Sequence, residues 1–292
     1  MRSRVPGLLL LGLFLAAPQA LAWGEDGHRI VCRIAYLLLD EADQATVQRA
    51  TEAYERPDGS QFQFYTDGCV FPDEARSKAK NGTPGYEKFN QFNNWHFLNV
   101  PRATLQVRAE DCANDCVLEG IRFHSAAVAS ASNDQERGEA LFFLGHWFGD
   151  IHQPLHISFA DDLGGNSVKP ITGGFYRSAN LHSVWDSGII KNAEGDDGWR
   201  AYADNLKDAI TPADQATWIA SGSVDWAQES YLITTGPDVR YCEWDADSCN
   251  ALPGGRKLLE SYQDEFADEV EVRLQKAGVR LAEQIRKSLH GQ

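Results

Sequence analysis

The stretch Phe143-Leu144-Gly145-His146-Trp147-Phe148-Gly149-Asp150-Ile151-His152-Gln153-Pro154-Leu155-His156 unites an apolar helical pattern with a concentration of histidine and aspartate. We predict that it ends a helix running from Gln135 to His152. On such a helix, His146 and Asp150 project from one face and can reach a common cation. Pro154 ends or bends the helix, and the chain beyond it brings His156 in from another direction. The stretch therefore predicts a metal site at the end of one helix.

A second pair with the same spacing, His182 and Asp186, lies in Asn180-Leu181-His182-Ser183-Val184-Trp185-Asp186. A single pair of this kind is more often a surface hydrogen bond or ion pair, and a lone histidine on an apolar face is usually a satisfied core residue. Two such pairs in one helical chain favour metal binding instead. His124 and His290 have no such neighbours, and we interpret them as structural or surface residues.

The long segments elsewhere also repeat apolar residues at helical spacing, while alternating strand-like runs are scarce. The sequence predicts an all-α fold, with a single mainly helical domain and long loops. Tyr65–Arg102 is predicted to be irregular and to pack aromatic residues over a site, Pro57-Asp58-Gly59 to form a turn, and Gly164–Gly174 to form a loop or short hairpin. The other predicted helices are Ile30–Leu39, Glu41–Tyr54, Leu118–Ser132, Leu181–Lys191, Gly198–Ala209, Pro212–Leu232 and Lys257–Ser288.

The first 22 residues match a signal peptide, with Arg2 and Arg4, an apolar run from Leu8 to Ala17 and small residues at the cut. The run is too short for a membrane span, which needs about 20 apolar residues. Removal leaves 292 − 22 = 270 residues that begin at Trp23 with a free α-amino group. That amine can bind a metal, although the leader alone equally fits an ordinary secreted protein. We expect secretion or export to the periplasm, and no membrane span.

Six cysteines are an even number, which in an exported chain favours disulfides. Cys112 and Cys116 suit a tight local bridge, and so do Cys242 and Cys249. Cys32 and Cys69 are then left to pair across the sequence. Many connectivities are possible, so this pairing is a hypothesis from proximity. The competing interpretation is a cysteine-ligated zinc site, but no Cys-x-x-Cys spacing supports it.

The charge of the chain limits its partners. It has 27 basic and 42 acidic residues, a net charge of −15, and loss of Arg2 and Arg4 makes this −15 − 2 = −17. A protein that coats a duplex would have a basic patch to neutralise phosphates, and none is evident. If the substrate is a phosphate ester, its charge must be met locally by metal ions or one or two arginines. The acidity otherwise serves solubility.

Several motifs occur together in one order along the chain: Trp23 with His28, Phe71-Pro72-Asp73-Glu74-Ala75-Arg76, Asn94-Trp95-His96-Phe97, Gly149-Asp150 through His156, Gly164-Gly165-Asn166, and Asn180-Leu181-His182 through Asp186. Through them the chain resembles the secreted zinc-dependent single-strand nucleases of the S1/P1 type, which share a helical fold with zinc-dependent phospholipase C. The resemblance runs from Trp23 to at least Asp186. Further on, only helical patterning supports it.

The resemblance implies three zinc ions in the domain spanning residues 23–292. One ion is held by Asp73, His96, His146 and Asp150. Asp150 bridges to a second ion bound by the Trp23 amine and carbonyl and by His28. The third ion takes His156, His182 and Asp186. Neutral imidazoles and carboxylates suit zinc, although the sequence alone leaves manganese or iron open.

The same resemblance gives Asp73 and Arg76 catalytic roles. Two neighbouring zinc ions lower the pKa of a water so that hydroxide is available near neutrality, and Asp73 orients it. Arg76 lies where the family has an arginine near the scissile phosphate. Attack on phosphorus then gives products with 5′ phosphates. A surface ion pair of Arg76 with Asp73 or Glu74 is the alternative interpretation.

The implied substrates are single-stranded DNA or RNA and nucleoside 3′-monophosphates, with no obligate protein partner. Phe97 and Asn99 match the family's base pocket, in which a ring stacks on a base and a polar group binds its edge. Asn166 is expected to contact substrate or a nearby water, and His152 to support a ligand by hydrogen bonding. The alternative interpretation of Phe97 is that its ring only packs in the hydrophobic core.

Two other functions remain open from the residues. Zinc-dependent phospholipase C uses nearly the same ligands, but its last ligand is typically glutamate where this chain has Asp186. A secreted zinc-binding or adhesion protein without turnover is the other alternative. Asp73 and Arg76 argue against it, because metal storage needs neither.

Overall fold

A computed structural model describes residues 23–169, 180–252, 258 and 261–291; the expected leader and part of the predicted Gly164–Gly174 loop lie outside them. These residues are mainly helical, which confirms the predicted fold class. The helices are α1 (Glu25–Leu38), α2 (Glu41–Ala53), α3 (Tyr65–Gly68), α4 (Phe71–Lys80), α5 (Val117–Ser130), α6 (Asp134–His152), α7 (Leu181–Ser183), α8 (Ile189–Glu194), α9 (Gly198–Ala209), α10 (Pro212–Trp218), α11 (Ser223–Thr234) and α12 (Tyr262–His290).

In the described part of the chain, four short strands accompany the helices: β1 (Leu98–Asn99), β2 (Ile157–Ser158), β3 (Cys242–Asp245) and β4 (Ser248–Ala251). β1 and β2 pair in parallel, with Leu98 opposite Ile157, whereas β3 and β4 form an antiparallel hairpin. None of the described helices is long and apolar enough to cross a membrane.

Helix α6 forms the centre of the molecule. Every residue from Ala140 to His152 is buried, because apolar side chains occur on all sides of the helix and not only along one stripe. Helices α1, α2, α5, α11 and α12 pack against it. The Asn133 side chain caps its start by accepting a hydrogen bond from the Glu136 amide. The helix ends just before Pro154, as the sequence predicts.

Two glycines of α6 allow neighbouring segments to approach closely. A Cβ at Gly145 would lie 2.5 Å from the Cys32 sulfur, and one at Gly149 would lie 2.6 Å from Nδ1 of His28. Both distances are below normal van der Waals contact, so only glycine fits at either position. The helix thereby admits a disulfide at one level and a histidine ring of α1 at the next.

The disulfides join Cys32 to Cys69, Cys112 to Cys116 and Cys242 to Cys249. These are the three pairs that proximity in sequence favours. The first bridge ties α1 to the residue after α3, and the third joins the two strands of the β3–β4 hairpin. No free cysteine remains to ligate a metal, which excludes the competing cysteine-zinc interpretation.

The prediction that Tyr65–Arg102 is irregular is wrong in part. The segment contains α3, α4 and a 3₁₀ helix at Glu87–Phe92. Helix α4 begins at Phe71 with Pro72 in its first turn, followed by acidic residues. Proline is favoured there because its missing amide hydrogen needs no partner, and acidic side chains suit the positive end of the helix dipole. Pro72 therefore starts a helix and does not break one.

Other predicted boundaries also shift. The predicted helix Pro212–Leu232 is two helices, α10 and α11, because the chain turns at Ser221 and Gly222 before the second begins. Helix α1 starts at Glu25 and not at Ile30, so it includes His28. The last helix begins at Tyr262, after the predicted start at Lys257.

Candidate metal centre

Helix α6 supplies the first pair of candidate ligands. Nε2 of His146 lies 3.3 Å from Oδ2 of Asp150, one turn further along the same helix face. The His28 ring of α1 stacks on the His146 ring at a centroid distance of 3.7 Å, and its Nε2 lies 3.6 Å from Oδ1 of Asp150. Both contacts depend on the close approach that Gly149 allows.

Asp73 and His96 reach the same place from other elements. Asp73 lies in the first turn of α4, and His96 lies two residues before β1. Nδ1 of His96 is 3.4 Å from Oδ1 of Asp73 and 3.3 Å from Oδ2 of Asp150. The structure thus brings together the four residues that the resemblance assigns to one ion.

The other group forms where the chain leaves α6. His156 precedes β2, and the parallel pairing of β2 with β1 places it beside the His96 segment. His182 lies on α7 and Asp186 in the π turn Val184–Gly188 that follows. Nε2 of His182 is 3.2 Å from Nε2 of His156 and 3.3 Å from Oδ2 of Asp186. Single π turns often mark functional positions in helices.

Together these residues form one buried cluster, which we call the His/Asp cluster. Three groups of nitrogen and carboxylate oxygen atoms within it lie close enough to hold metal ions: His28, Asp73 and His146; His96, His146 and Asp150; and His156, His182 and Asp186. The members are His28, Asp73, His96, His146, Asp150, His156, His182 and Asp186.

Backbone carbonyl groups fix the tautomers of three histidines. Nδ1 of His146 lies 2.8 Å from the Cys69 carbonyl oxygen. In the same way, Nδ1 of His156 lies 2.5 Å from the His96 carbonyl, and Nδ1 of His182 lies 2.6 Å from that of Gly164. A carbonyl only accepts, so each Nδ1 carries the hydrogen and each Nε2 of a neutral ring presents a lone pair.

This arrangement tests whether the cluster fits a metal. Burial lowers the pKa of His156 well below its ordinary range and that of His182 to about 4, so both rings are neutral. Their Nε2 lone pairs then face each other across 3.2 Å with no hydrogen between them. Such a group of acceptors is repulsive unless a cation lies among them. The donors are imidazoles and carboxylates, the set that zinc accepts.

Asp150 gives a second test. Its side chain is buried, and neither carboxylate oxygen has a hydrogen-bond partner among the described residues. Both ring nitrogens of His28 are also buried and have no hydrogen-bond partner among the described residues. Burial raises the pKa of Asp150 well above its ordinary value, and the Asp73 carboxylate raises it further. Without a cation such a buried group is neutralised by protonation, whereas a bound cation would favour the carboxylate and reverse that pKa shift.

Trp23 lies beside the cluster. It is fully buried, and a Cβ at Gly149 would be 3.5 Å from its ring. The amide of Gly24, the next residue, donates a 2.7 Å hydrogen bond to the Asp186 carbonyl. The start of the expected mature chain is therefore held between α6 and the segment that carries Asp186.

Arg76 and Phe97 lie together near the cluster. The Arg76 guanidinium is 5.8 Å from the Phe97 ring centre, and the Arg76 Nε is buried without a hydrogen-bond partner among the described residues. Burial lowers the pKa of Arg76, against the opposing charges of Asp73 and Asp150. Phe97, the residue before β1, is half-buried and lies outside the hydrophobic core, and Asn99 at the end of β1 is also half-buried.

Asn166 has partners within its own loop. Its Nδ2 donates to the Leu163 carbonyl and its Oδ1 accepts from Asn180. Asn180 caps the start of α7 by accepting from the Ser183 amide. Asn166 therefore steadies the helix that carries His182, a role that the sequence does not suggest.

The structure does not bring His152 to the cluster. Its Nδ1 donates to the Phe148 carbonyl and its Nε2 accepts from Arg280, so it supports no candidate ligand by hydrogen bonding. It lies two positions after Asp150, a turn of about 200° that places it on the opposite side of α6. The prediction for His152 is therefore corrected. His124 is a core residue that accepts from the Trp147 indole, and His290 pairs with Asp43.

Gln153 is a site residue that the sequence does not reveal. Its Nε2 donates to Oδ1 of Asp186, and its Oε1 accepts from the Leu155 amide at 2.5 Å. This buried amide fixes one carboxylate oxygen and leaves Oδ2 to face His182. Its only sequence signal is its position between α6 and Pro154.

The fold and the site define a helical protein whose buried histidines and aspartates are suited to bind metal ions. The family model for S1/P1 nucleases matches residues 23–290. Endonuclease 2 of Arabidopsis thaliana is 29% identical over 291 residues, which cover 94% of this chain and 93% of that protein. Nuclease S1 of Aspergillus oryzae is 26% identical over 293 residues, 91% of this chain and 93% of that protein.

Because the family model covers nearly the whole described chain, the protein belongs to the S1/P1 nuclease family. It is therefore a hydrolase that acts on nucleic acids. Nuclease P1 of Penicillium citrinum is also similar, at 29% identity over 221 residues, 67% of this chain and 76% of that protein. Family membership favours a nuclease over the phospholipase and the non-catalytic alternatives. The three disulfides fit an oxidising compartment outside the cytosol.

Proposed function

We propose that the protein is a zinc-dependent nuclease that cleaves single-stranded DNA and RNA to 5′-phosphorylated products and also hydrolyses nucleoside 3′-monophosphates. The His/Asp cluster and the Trp23 amino terminus would hold three zinc ions. When bound, the ions would lower the pKa of a water molecule towards neutrality and would stabilise negative charge on phosphate oxygens.

The observation that carries the proposal is the convergence of acceptor atoms. The Nε2 atoms of His156 and His182 face each other at 3.2 Å, while carbonyl groups hold the hydrogen of each ring on Nδ1. Imidazoles arranged in this way are prepared to ligate and cannot pair with each other. The unpartnered oxygens of Asp150 support the same conclusion for the other half of the cluster.

Arg76 acts on the substrate phosphate. Its guanidinium is always charged, and its buried Nε has a hydrogen to donate. In a site shielded from water, such a donor stabilises charge that develops on phosphate oxygens more strongly than it would in solvent. Phe97, against which the guanidinium packs, holds it in place and leaves part of its ring for a base.

The preference for single strands follows from burial. The relative exposure of the cluster residues is at most 6%. A scissile phosphate must therefore enter between side chains, which an unstacked strand achieves and a stiff duplex resists. Half-exposed Phe97 then offers a stacking surface that tolerates any base.

A metal analysis combined with an activity measurement tests the proposal. Protein that begins at Trp23 should carry three zinc ions by elemental analysis. It should release acid-soluble nucleotides from denatured DNA faster than from duplex, and phosphate from nucleoside 3′-monophosphates. Chelation should stop both reactions, and zinc should restore them. One tightly bound ion, or metal-replete protein that cleaves neither substrate, would overturn the proposal.

The role of the amino terminus has its own test. A mature form with one extra residue before Trp23 should lose one zinc ion and most activity, because the amine becomes an amide with no lone pair to donate. The control is the same residue added after Gln292. An extended form with unchanged zinc content would remove the amine from the ligand set and leave the rest of the cluster in place.

A further inference from the structure

Lys80 ends the helix that carries Asp73 and Arg76 to the cluster. Residues 73, 76 and 80 recur at three- and four-residue intervals and so share one face of α4. Lys80 lies one turn beyond Arg76, about 6 Å further along the helix axis. Its side chain is exposed at the surface. Along this face of α4, the Asp73 carboxylate lies at the cluster, the Arg76 guanidinium follows, and the Lys80 ammonium lies nearest the surface.

The directions of the pKa shifts agree with this placement of the three side chains on one face. Burial lowers the pKa of Lys80, the charge of Arg76 lowers it further, and the charge of Asp73 opposes the shift. Arg76, for its part, adds to the effect of burial in lowering the pKa of histidines in both halves of the cluster, namely His96, His146, His156 and His182. Lys80 is thus close to a guanidinium whose charge reaches residues in both halves of the cluster.

The pairing of the other lysines makes Lys80 unusual. Among the eight lysines that the structure describes, six lie within ion-pair distance of a carboxylate, namely Lys78, Lys88, Lys191, Lys207, Lys276 and Lys287. Within the same part of the chain, Lys80 and Lys169 are the two that form no ion pair, and Lys80 is the one on the helix that reaches the cluster. Like charges four residues apart on a helix repel each other. In a chain of net charge −15, Arg76 and Lys80 thus form a local excess of positive charge.

We propose that Lys80 binds the phosphate next to the scissile phosphate, so that α4 presents Arg76 and Lys80 to successive phosphates of one strand. This inference rests on the proposed nuclease function and adds a subsite to it. A lysine ammonium binds phosphate as a point charge, without reading the base. The subsite therefore favours oligonucleotides of any sequence over substrates with a single phosphate.

The test compares two substrates of the zinc-loaded protein: a dinucleoside monophosphate, which has only the scissile phosphate, and a single-stranded oligonucleotide. Lys80→Ala should raise KM for the oligonucleotide by about fivefold, the upper range for an exposed ion pair, with kcat unchanged. The dinucleoside monophosphate should be cleaved as before. The slope of log KM against log salt should fall by about 0.7 for the lost phosphate contact. Lys80→Arg should restore the oligonucleotide KM.

Lys78→Ala is the matched control, since it removes the same charge from the same helix. Lys78 pairs with Glu74 at 2.7 Å on another face, so its loss should leave both KM values unchanged. An oligonucleotide with a neutral methylphosphonate beside the scissile bond, on either side in turn, completes the cycle. On one of the two sides, the neutral linkage should raise KM of the wild type as much as Lys80→Ala does. The same linkage should not raise KM of the Lys80→Ala variant any further.

The outcomes separate the two proposals. Equal effects of Lys80→Ala on both substrates, no effect on either, or an equal effect of Lys78→Ala would overturn the subsite while the nuclease remains active. A zinc-loaded wild type that cleaves neither substrate would overturn the proposed function itself.

Discussion

Helix α6 separates two buried polar regions that differ in one respect. On one side lies the His/Asp cluster. On the other side lies a group that we call the arginine network, formed by His152, Glu229, Arg273 and Arg280. Arg280 donates to Nε2 of His152 at 2.8 Å and pairs with Glu229 at 2.7 Å. Arg273 donates to the His152 carbonyl and pairs with Glu229 at 2.6 Å.

The arginine network contains cations that bond directly to its carboxylate, whereas Arg76, the cation beside the cluster, donates no hydrogen bond to Asp150. Glu229 receives two guanidinium groups, while the oxygens of Asp150 receive no hydrogen bond from the described residues. A buried charge without a partner is unfavourable, so the cluster is suited to bind cations that come from outside. The contrast teaches that buried histidines and acids indicate a metal centre where a buried carboxylate, such as Asp150, receives no hydrogen bond from a cation of the protein. His152 belongs to the arginine network and not to the cluster.

The same carboxylate-to-amide change in the two regions should have opposite consequences. Asp150→Asn should reduce activity by about a thousandfold or more, because several kcal/mol of transition-state stabilisation depend on the ions that Asp150 is proposed to hold. In the presence of a chelator its melting temperature should be no lower than that of the wild type, because the change removes an unpartnered carboxylate. A marked loss of stability in chelator would show that Asp150 is a structural residue and would break the comparison.

Glu229→Gln is the counterpart in the arginine network. It should reduce the free energy of unfolding by about 2–3 kcal/mol, because two buried guanidinium groups lose their countercharge. This estimate is below the range for a fully buried pair, since the Glu229 side chain is 30% exposed. Chemical denaturation should give the same loss with and without zinc, and activity per folded molecule should persist. If the free energy of unfolding fell only in the presence of zinc, the arginine network would depend on metal binding and the prediction would be wrong.

Gln153→Leu sharpens the comparison within the cluster. It removes the amide that fixes Oδ1 of Asp186 and should weaken binding of one zinc ion about 10- to 100-fold, which competition with a chelator measures. Gln135→Leu, an exposed glutamine on the same helix, is the control and should leave affinity unchanged. Equal zinc affinity in the two variants would remove Gln153 from the site.

The smallest effect concerns pH. Burial raises the pKa of Glu229, but the hydrogen bond from Arg280 and the charges of Arg273 and Arg280 outweigh it and lower the value to about 2, from 4.5. A lowered pKa means that the ionised form stabilises the folded state above about pH 4.5 and that this contribution is lost as pH falls towards 2. The difference in unfolding free energy between wild type and Glu229→Gln should shrink over that interval. A constant difference would contradict the assigned ion pairs.

Some parts of the fold and site could be predicted because they are local. The i, i+4 spacing of His146 and Asp150 and the short separations of two cysteine pairs each involve one segment of chain. Helix α4 lies in a stretch whose several Gly and Pro residues predict irregular structure, although proline is favoured in a first helical turn. The side on which His152 lies follows from helix geometry, but what it meets there depends on α11 and α12, far along the chain.

The sequence alone determined the kinds of ligand, their helical spacing, the even set of cysteines and the predominance of helices, because residue type and periodicity act over one or two turns. Only the tertiary structure decided which groups meet. The β1–β2 pairing places His156 against the His96 carbonyl, and the glycines of α6 admit His28 and a disulfide. The physical reason is that contacts between residues far apart in the chain decide which histidine nitrogen carries the hydrogen and which carboxylates have a countercharge. No local sequence pattern contains that information.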